Sequence, residues 1–212
     1  MFNAQARTAA IGNVFNTRAE NTNSDYLNQS VMDHFQARIG WMVMLALFGF
    51  ISGYIITSFE DTLSSLLILA VYIPMIADSG GNSGSQAASV IIQALAKNDL
   101  HTGLYLRVLW KELRIAIMTA GVISIIAFCK VALLSGDAAL PMDTSLFEVA
   151  FVISFALAVQ IVVSTLIGAT IPLGATRAGI NPAVMTSPML TSIVDIFGML
   201  IYFGLATSML NI

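Results

Sequence analysis

The chain has 212 residues, of which 57% are apolar and 10% are charged, with a formal net charge of −3. A soluble domain carries roughly 25% charged residues, so this composition excludes an ordinary cytosolic enzyme and a disordered protein. The negative balance excludes a basic protein that binds nucleic acid. The single cysteine excludes a disulfide framework within the chain and a cysteine-based zinc site. What remains is an all-α integral membrane protein that crosses the lipid bilayer several times.

The first 37 residues differ in composition from the rest of the chain. They are rich in Asn, Gln, Ser and Thr, and they contain no apolar run of the length that a cleavable signal peptide needs. We therefore predict a polar arm at residues 1–37 and a membrane domain at residues 38–212. Near the end of the arm, Ser30 is a helix-capping residue, and the residues after it recur at helical spacing. Residues 30–38 thus fit a short interfacial helix, with a frayed linker as the alternative.

Five apolar stretches follow, and they predict five transmembrane helices, because one span needs roughly 20 apolar residues. The first and third are apolar all round, as expected of helices that face lipid. The second, fourth and fifth contain the polar residues, glycines and prolines, so they are the functional candidates. Residues 98–114, which include Trp110 and several charges, are typical of an amphipathic interfacial segment. The stretches lie at about residues 39–59, 63–95, 115–134, 147–173 and 183–210.

Basic residues near the ends of the spans predict how the chain is oriented in the membrane. In a five-span topology, eight of the nine lie on one side: Arg7, Arg18, Arg38, Lys97, Arg107, Lys111, Arg114 and Arg177. The opposite loops carry one basic residue and five acids: Lys130, Glu60, Asp61, Asp137, Asp143 and Glu148. We therefore expect the N-terminus in the cytoplasm and the C-terminus outside, in a multi-pass protein of the inner or plasma membrane.

Two carboxylates lie at membrane depth, where an ionisable group is costly and is a functional candidate by default. Asp195 is about 12 residues into the fifth stretch, or ~18 Å along a helix, close to the middle of the bilayer. Asp78 lies at a similar depth in the second stretch. Neither stretch contains a Lys, Arg, Glu or His that could pair with these acids. An unpaired Asp beside a wet path suits a hard cation, and Mg²⁺ in particular keeps its waters.

The neighbours of the two acids are polar or small at helical spacing. Around Asp78, glycines at 80, 81 and 84 would break the helix, let helices pack closely, or let a carbonyl face a water-filled path. On the fifth helix, one face would carry Thr191, Asp195, Gly198 and Tyr202. On the second, a polar stripe would carry Asp78, Asn82, Gln86, Ser89 and Gln93. We predict a metal site at Asp195 and Thr191, on a path lined by Asp78, Gly81, Asn82, Gln86 and Gly198.

The polar residues at membrane depth also fit roles other than ion binding. Either acid could cap a broken helix or hydrogen-bond to a neighbouring span, and Asn82 and Gln86 could join helices. A proton relay would also use buried acids, although it calls for a longer chain of acids and histidines.

No repeat within the chain favours an inverted-repeat transporter, so a dimer with a path along its two-fold axis would supply the symmetry. No hydrolase constellation or P-loop is present, so we do not expect an enzyme.

Two segments resemble the transmembrane domain of the MgtE family of magnesium channels and transporters. One is PMIADSGGNSGSQA at residues 74–87, where the family has a Pro and then Gly-Gly-Asn-x-Gly-x-Gln. The other is NPAVMTSPMLTSIVDIFGMLIYFGLA at residues 181–206, which is similar to the family's Asp-x-x-Gly followed by Leu-Ile-Tyr-Phe. The end of the fourth span, IGATIPLGATRAGI, also resembles the family's approach to span five. The likeness covers about residues 38–212.

This resemblance implies a homodimer with five spans per subunit and a central pore formed mainly by the second and fifth spans. It implies that Asp195 is the ion-selecting carboxylate, that Asn82 lies near the pore, and that Thr191 contributes to the ion site. Mg²⁺ would then be the transported ion, and other divalent cations are further candidates. A cation-coupled exchanger or exporter of Mg²⁺, Co²⁺ or Ni²⁺ is an alternative function. A non-transporting membrane subunit that binds a partner through its polar arm is another.

The chain also departs from the family pattern. Well-known members carry a cytosolic N-terminal domain and paired CBS domains that sense Mg²⁺, and about 37 residues are too few for either. Asn181 replaces the usual Asp before Pro182, and Asp78 stands where relatives have a small or apolar residue. We therefore expect conduction without the family's usual sensor, and with added negative charge along the path.

Overall fold

The computed structural model describes residues 29–97, 100, 104–136, 140–141 and 144–211. Its six helices are α1 (Val31–Ser58), α2 (Glu60–Ser65), α3 (Ile68–Ala96), α4 (Tyr105–Leu134), α5 (Leu146–Arg177) and α6 (Pro182–Leu210). The described residues therefore confirm the all-α prediction. The predicted polar arm as far as residue 28, and the predicted outer acids Asp137 and Asp143, lie outside these ranges.

Four of the described helices are long and apolar enough to cross a membrane. They are α1, α4, α5 and, within α6, the segment Met189–Leu210. α3 has 29 residues, or ~43 Å at 1.5 Å per residue, which exceeds the ~30 Å of a hydrocarbon core. Because of the polar residues in its middle, α3 has no apolar segment as long as those of the other four. Length alone therefore permits α3 to span the bilayer.

Both predicted interfacial segments are parts of longer helices. Ser30 caps α1, because its hydroxyl accepts a hydrogen bond from the backbone N–H of Asp33 at 3.2 Å. From Val31 the helix continues without interruption to Ser58, so residues 31–38 are its first turns and not a separate helix. Similarly, α4 begins at Tyr105, so the last ten residues of the predicted segment 98–114 belong to that helix. The sequence shows where polar residues give way to apolar ones, but a helix can continue across such a boundary.

The connection between α5 and α6 is a tight four-residue turn. The backbone N–H of Gly179 donates to the carbonyl of Thr176 at 3.1 Å, and that of Ile180 donates to Ala175 at 2.9 Å. This pair of bonds is the Schellman arrangement that ends many helices, and it needs a left-handed residue, here Gly179 at φ 70°. The Asn181 side chain then accepts from Ala183 N–H at 3.0 Å and caps α6. The turn places α6 directly beside α5.

α5 is the central helix of the subunit. It packs against α3, α4 and α6, whereas α1 packs mainly along α6. Half of the apolar segment of α5 is buried (50%), compared with 6% for α1. Near the beginning of α3, Tyr202 of α6 donates its hydroxyl proton to the carbonyl of Leu69 at 2.8 Å. α3 and α6 are therefore held against α5 and against each other.

α3 crosses α5 through glycines. A Cβ atom at Gly168 would lie 2.8 Å from the Cα of Gly84, and a Cβ at Gly84 would lie 2.9 Å from the carbonyl oxygen of Ser164. The two backbones are thus in direct contact, as small residues allow between membrane helices. The glycine tract of α3 does not break the helix, which is continuous from Ile68 to Ala96. Of the roles predicted for these glycines, the structure shows close packing at Gly80 and Gly84.

We predict that Gly168→Ala destabilises the subunit. The new methyl group would meet the backbone of α3, so the helices must separate, at a cost of about 1–3 kcal/mol in the free energy of unfolding. The measurement is the midpoint of thermal unfolding of the detergent-solubilised protein, which should fall by several degrees. The control is Gly174→Ala on the same helix, where nothing lies within 4 Å of the new Cβ. Equal midpoints for the two variants would contradict the glycine contact.

Candidate ion-binding site

The predicted polar stripe lies on one face of α3, opposite the face that packs on α5. The buried face carries Gly80, Gly84, Ala87, Ala88 and Ile91. The opposite face is exposed in the single subunit and carries Asp78, Asn82, Gln86, Ser89 and Gln93. Gly81 lies between the two faces and is half-buried. The continuous helix therefore gives the stripe the length that its spacing predicted, about four turns.

The exposed polar side chains of α3 have no partners within the described part of the subunit. Asp78, Asn82 and Gln86 form no side-chain hydrogen bond or ion pair with another described residue. Asp78 lies inside an unbroken helix and so caps no helix end. The side-chain hydrogen bond between α3 and α5 comes instead from Ser83, whose Oγ lies 2.6 Å from Oγ1 of Thr165. Within one subunit, therefore, neither capping nor helix joining accounts for the stripe.

Asp195 lies in the middle of α6, which is also continuous. Its side chain is half-buried and forms no hydrogen bond or ion pair with any described residue. One turn earlier, Thr191 is exposed, and its hydroxyl donates to the carbonyl of Ser187 at 3.3 Å. Among the described residues, Asp195 neither caps a helix end nor bonds to a neighbouring span, so they give that alternative no support. The carboxylate and the threonine oxygen remain accessible from the same side of α6.

The other two residues of the predicted α6 face point into the subunit. Gly198 is buried against Gln160 of α5: a Cβ atom at Gly198 would lie 2.6 Å from Nε2 of that side chain. Tyr202 is fully buried and bonded to α3. The four residues do share a face, but that face is exposed at Thr191 and enclosed at Gly198 and Tyr202. Gly198 as a lining residue of the path stays a prediction.

α3 and α6, which carry the predicted site residues, are direct neighbours. Ala88 of α3 packs with Leu190 and Val194 of α6 in a small apolar cluster. A Cβ atom at Gly84 would lie 3.2 Å from Cδ1 of Leu190. The contact joins the helices along their buried faces, which leaves the exposed stripe of α3 and the Thr191–Asp195 side of α6 uncovered.

The described residues contain no group of three or more His, Cys, Asp or Glu side chains that could hold a metal ion together. One subunit therefore offers the carboxylate of Asp195 together with the hydroxyl of Thr191 one helical turn earlier. A dehydrated cation would be poorly served by one carboxylate. An ion that keeps several waters, as Mg²⁺ does, needs fewer protein ligands.

Sequence reasoning missed the polar residues of α5 that support this site. Gln160 and Ser164 are fully buried, and Thr165 is 4% exposed. A signal was present, because Gln160, Ser164 and Gly168 recur every four residues in an otherwise apolar span. That spacing puts polar or small residues on one helix face. This face is the one that contacts α3.

Comparison with known proteins shows that the chain is similar to one family of membrane transporters. The MgtE family, described as a divalent cation transporter, matches residues 73–205. The magnesium transporter MgtE of Bacillus subtilis is 31% identical over 174 residues, which are 82% of this chain and 37% of the relative. The magnesium transporter MgtE of Thermus thermophilus is 32% identical over 175 residues, with the same 82% and 37%. That of Enterococcus faecalis is 29% identical over 170 residues, which are 80% of this chain and 36% of the relative.

The chain spans little more than a third of the length of these relatives. The family match nevertheless begins within α3 and ends within α6, so it includes both helices that carry the unpaired polar residues. The MgtE family is a transporter family and not a family of enzymes. This multi-pass membrane protein belongs to the MgtE family of divalent cation transporters.

Proposed function

We propose that this chain conducts Mg²⁺ through a pore between two copies of itself, with α3 and α6 lining the path. One observation carries the proposal: on the single subunit the polar stripe of α3 is exposed, and the half-buried carboxylate of Asp195 has no partner among the described residues. Unpaired polar and charged groups at membrane depth are costly against lipid, so they face water or protein. A second copy packed on this side would remove them from lipid and enclose them around a wet path.

The same arrangement supports α3 as a fifth span. A helix with one polar face is less apolar on average than one surrounded by lipid, which explains why α3 differs from the other four. Five spans, with the basic residues gathered on one side, put the N-terminus in the cytoplasm and the C-terminus outside. The odd number of spans also leaves a dimer axis as the source of symmetry.

Two copies of Asp195 facing each other across the axis would supply two negative charges for one divalent cation. Mg²⁺ retains its waters in such a site, and Thr191 and Asn82 would bind those waters through their oxygens. A membrane potential contributes about 2.3 kcal/mol per charge per 100 mV, and so roughly twice that for Mg²⁺ moving inward. The relatives' names, which are those of magnesium transporters, favour Mg²⁺ among the divalent cations.

We predict that Asp195→Asn lowers Mg²⁺ uptake at least tenfold. The substitution keeps the shape of the side chain and removes both charges from the dimeric site, and a loss of about 1.4 kcal/mol is already tenfold. The measurement is Mg²⁺ uptake into proteoliposomes that contain a Mg²⁺-sensitive dye. Asp61→Asn, an Asp-to-Asn change in α2 outside the proposed path, is the control and should retain uptake.

Unchanged uptake in Asp195→Asn would refute the ion-selecting role. The same vesicles separate a channel from a coupled exchanger: uptake driven by membrane potential alone supports the channel. Uptake that requires an imposed Na⁺ or H⁺ gradient supports the exchanger.

We predict that a cysteine at Asn82 cross-links two subunits. Cys129 is the single cysteine of the chain, so Cys129→Ser gives a cysteine-free background. In that background, Asn82→Cys should give a covalent dimer in membranes treated with a short bifunctional maleimide, because the two copies of α3 face each other. Met118→Cys lies on the exposed side of α4 (74% exposed) and should remain monomeric. Equal cross-linking of both variants, or none at Asn82, would contradict the dimeric pore.

We predict that Asp78→Asn weakens Mg²⁺ uptake in a salt-dependent manner. Asp78 is exposed on the path side of α3, so its charge would attract cations over a distance that added salt shortens. At low Mg²⁺ and low ionic strength, uptake should fall several-fold relative to the unmodified protein. At high ionic strength the two proteins should converge. An equal loss at all salt concentrations would indicate a structural role for this carboxylate.

A further inference from the structure

Gln160 occupies the junction of α5, α3 and α6. Its side chain is fully buried (0% exposed), although glutamine is a polar residue at membrane depth. Its Nε2 donates a hydrogen bond to the carbonyl oxygen of Val194 at 3.0 Å. Val194 immediately precedes Asp195, so this bond holds the peptide unit that carries the proposed ion-selecting residue.

Both helices of the site leave room for the Gln160 amide. A Cβ atom at Gly80 of α3 would lie 2.5 Å from Nε2, and a Cβ at Gly198 of α6 would lie 2.6 Å from the same atom. Any larger residue at either position would displace the amide or move a helix. Gln160 therefore touches α3 and α6 at once, and its two contacts on α6 lie on either side of Asp195 in sequence.

Stability does not explain a glutamine at this place. Among the described residues, Oε1 of Gln160 has no hydrogen-bond partner, and neither has Oγ of Ser164 one turn later. A buried polar atom without a partner destabilises a fold, and an apolar side chain of similar size would fill the same space without that cost. The Val194 carbonyl is also the normal acceptor for the Gly198 N–H within α6. The bond from Gln160 is thus additional to the helix and acts between helices.

We propose that Gln160 is a positioning residue for the ion path: it fixes the depth and rotation of Asp195 relative to α3. This inference rests on the proposed function of Asp195. A carboxylate that binds the hydration waters of a cation must be held to within about 0.5 Å of its position. The contact of Gln160 with the buried side of α6 supplies that rigidity. When the amide bond is lost, α6 can shift against α3 and the two Asp195 carboxylates no longer match hydrated Mg²⁺.

The test is Gln160→Met, which keeps the length of the side chain and removes the N–H donor. We expect the variant to unfold within a few degrees of the unmodified protein and to form the same dimer. Its KM for Mg²⁺ uptake should rise at least fivefold, and its preference for Mg²⁺ over Ca²⁺ should fall at least fivefold, with the maximal rate little changed. The control is Ser154→Ala, a buried polar position on the same helix whose hydroxyl bonds only to its own helix, at Ala150. It should change neither value.

A double variant separates packing from positioning. Gly80→Ala alone should lower thermal stability, because the new methyl group meets the Gln160 amide. Adding Gln160→Ala removes that clash and should restore stability. If Gln160 positions Asp195, the double variant shows the same lowered preference for Mg²⁺ over Ca²⁺ as Gln160→Met, despite its restored stability. If Gln160 only fills space, the double variant has the preference of the unmodified protein, and the proposal is wrong.

Two further outcomes would overturn the inference. Gln160→Met with unaltered KM and ion preference would exclude a positioning role. Loss of uptake in strict proportion to loss of folded protein would reduce Gln160 to a structural residue. If Asp195→Asn abolishes uptake while Gln160→Met changes neither KM nor ion preference, only this inference fails. If Asp195→Asn leaves uptake unchanged, the proposed function itself fails.

Discussion

The backbone contact between Gly84 of α3 and Gly168 of α5 is the constraint on which the rest of the site depends. In a bilayer, apolar surface gains little by leaving lipid for protein, so close packing decides how helices associate. The glycines let two backbones touch, which commits one face of α3 to α5. Since a helix has only one opposite face, the side chains of Asp78, Asn82 and Gln86 must point away from α5, whereas Ser83 bonds to it. Their exposure on the subunit follows from the packing.

α5 supports the site without offering a site residue of its own. It meets α3 through glycines and a Ser83–Thr165 hydrogen bond, and it meets α6 through Gln160. The two helices that carry the unpaired polar groups, α3 and α6, therefore both pack against α5. That arrangement leaves the side chains of Asp78, Asn82, Gln86 and Asp195 without partners among the described residues.

α6 shows how one helix face can serve two purposes. Thr191, Asp195, Gly198 and Tyr202 lie on one face, as the spacing predicts. The first two are accessible, whereas Tyr202 is enclosed and bonded to the Leu69 carbonyl. Spacing gives the direction in which a side chain points and says nothing about which neighbour covers that part of the helix. Only the packing of α3 and α5 against the later turns decides this.

Much of the organisation could be predicted from sequence because it depends on local composition. The apolar stretches, the Ser30 cap and the polar stripe of α3 are patterns along one segment, and the structure reproduces them. The helix boundaries at the two predicted interfacial segments were not predictable in this way, since residues 31–38 and 105–114 are the first turns of α1 and α4. The glycine tract was ambiguous between a break and close packing, because the outcome depends on a helix about 80 residues away in sequence.

The sequence by itself determined that this is a helical membrane protein with two carboxylates inside its apolar stretches, since so low a content of charged residues excludes a soluble domain. It also carried the motifs of a divalent cation transporter family. Only the tertiary structure decided which polar groups are uncovered and which are used inside the subunit. The role proposed for Gln160 also follows only from the tertiary structure, because it depends on the contacts of this side chain with the Val194 carbonyl and with the two glycines that surround it.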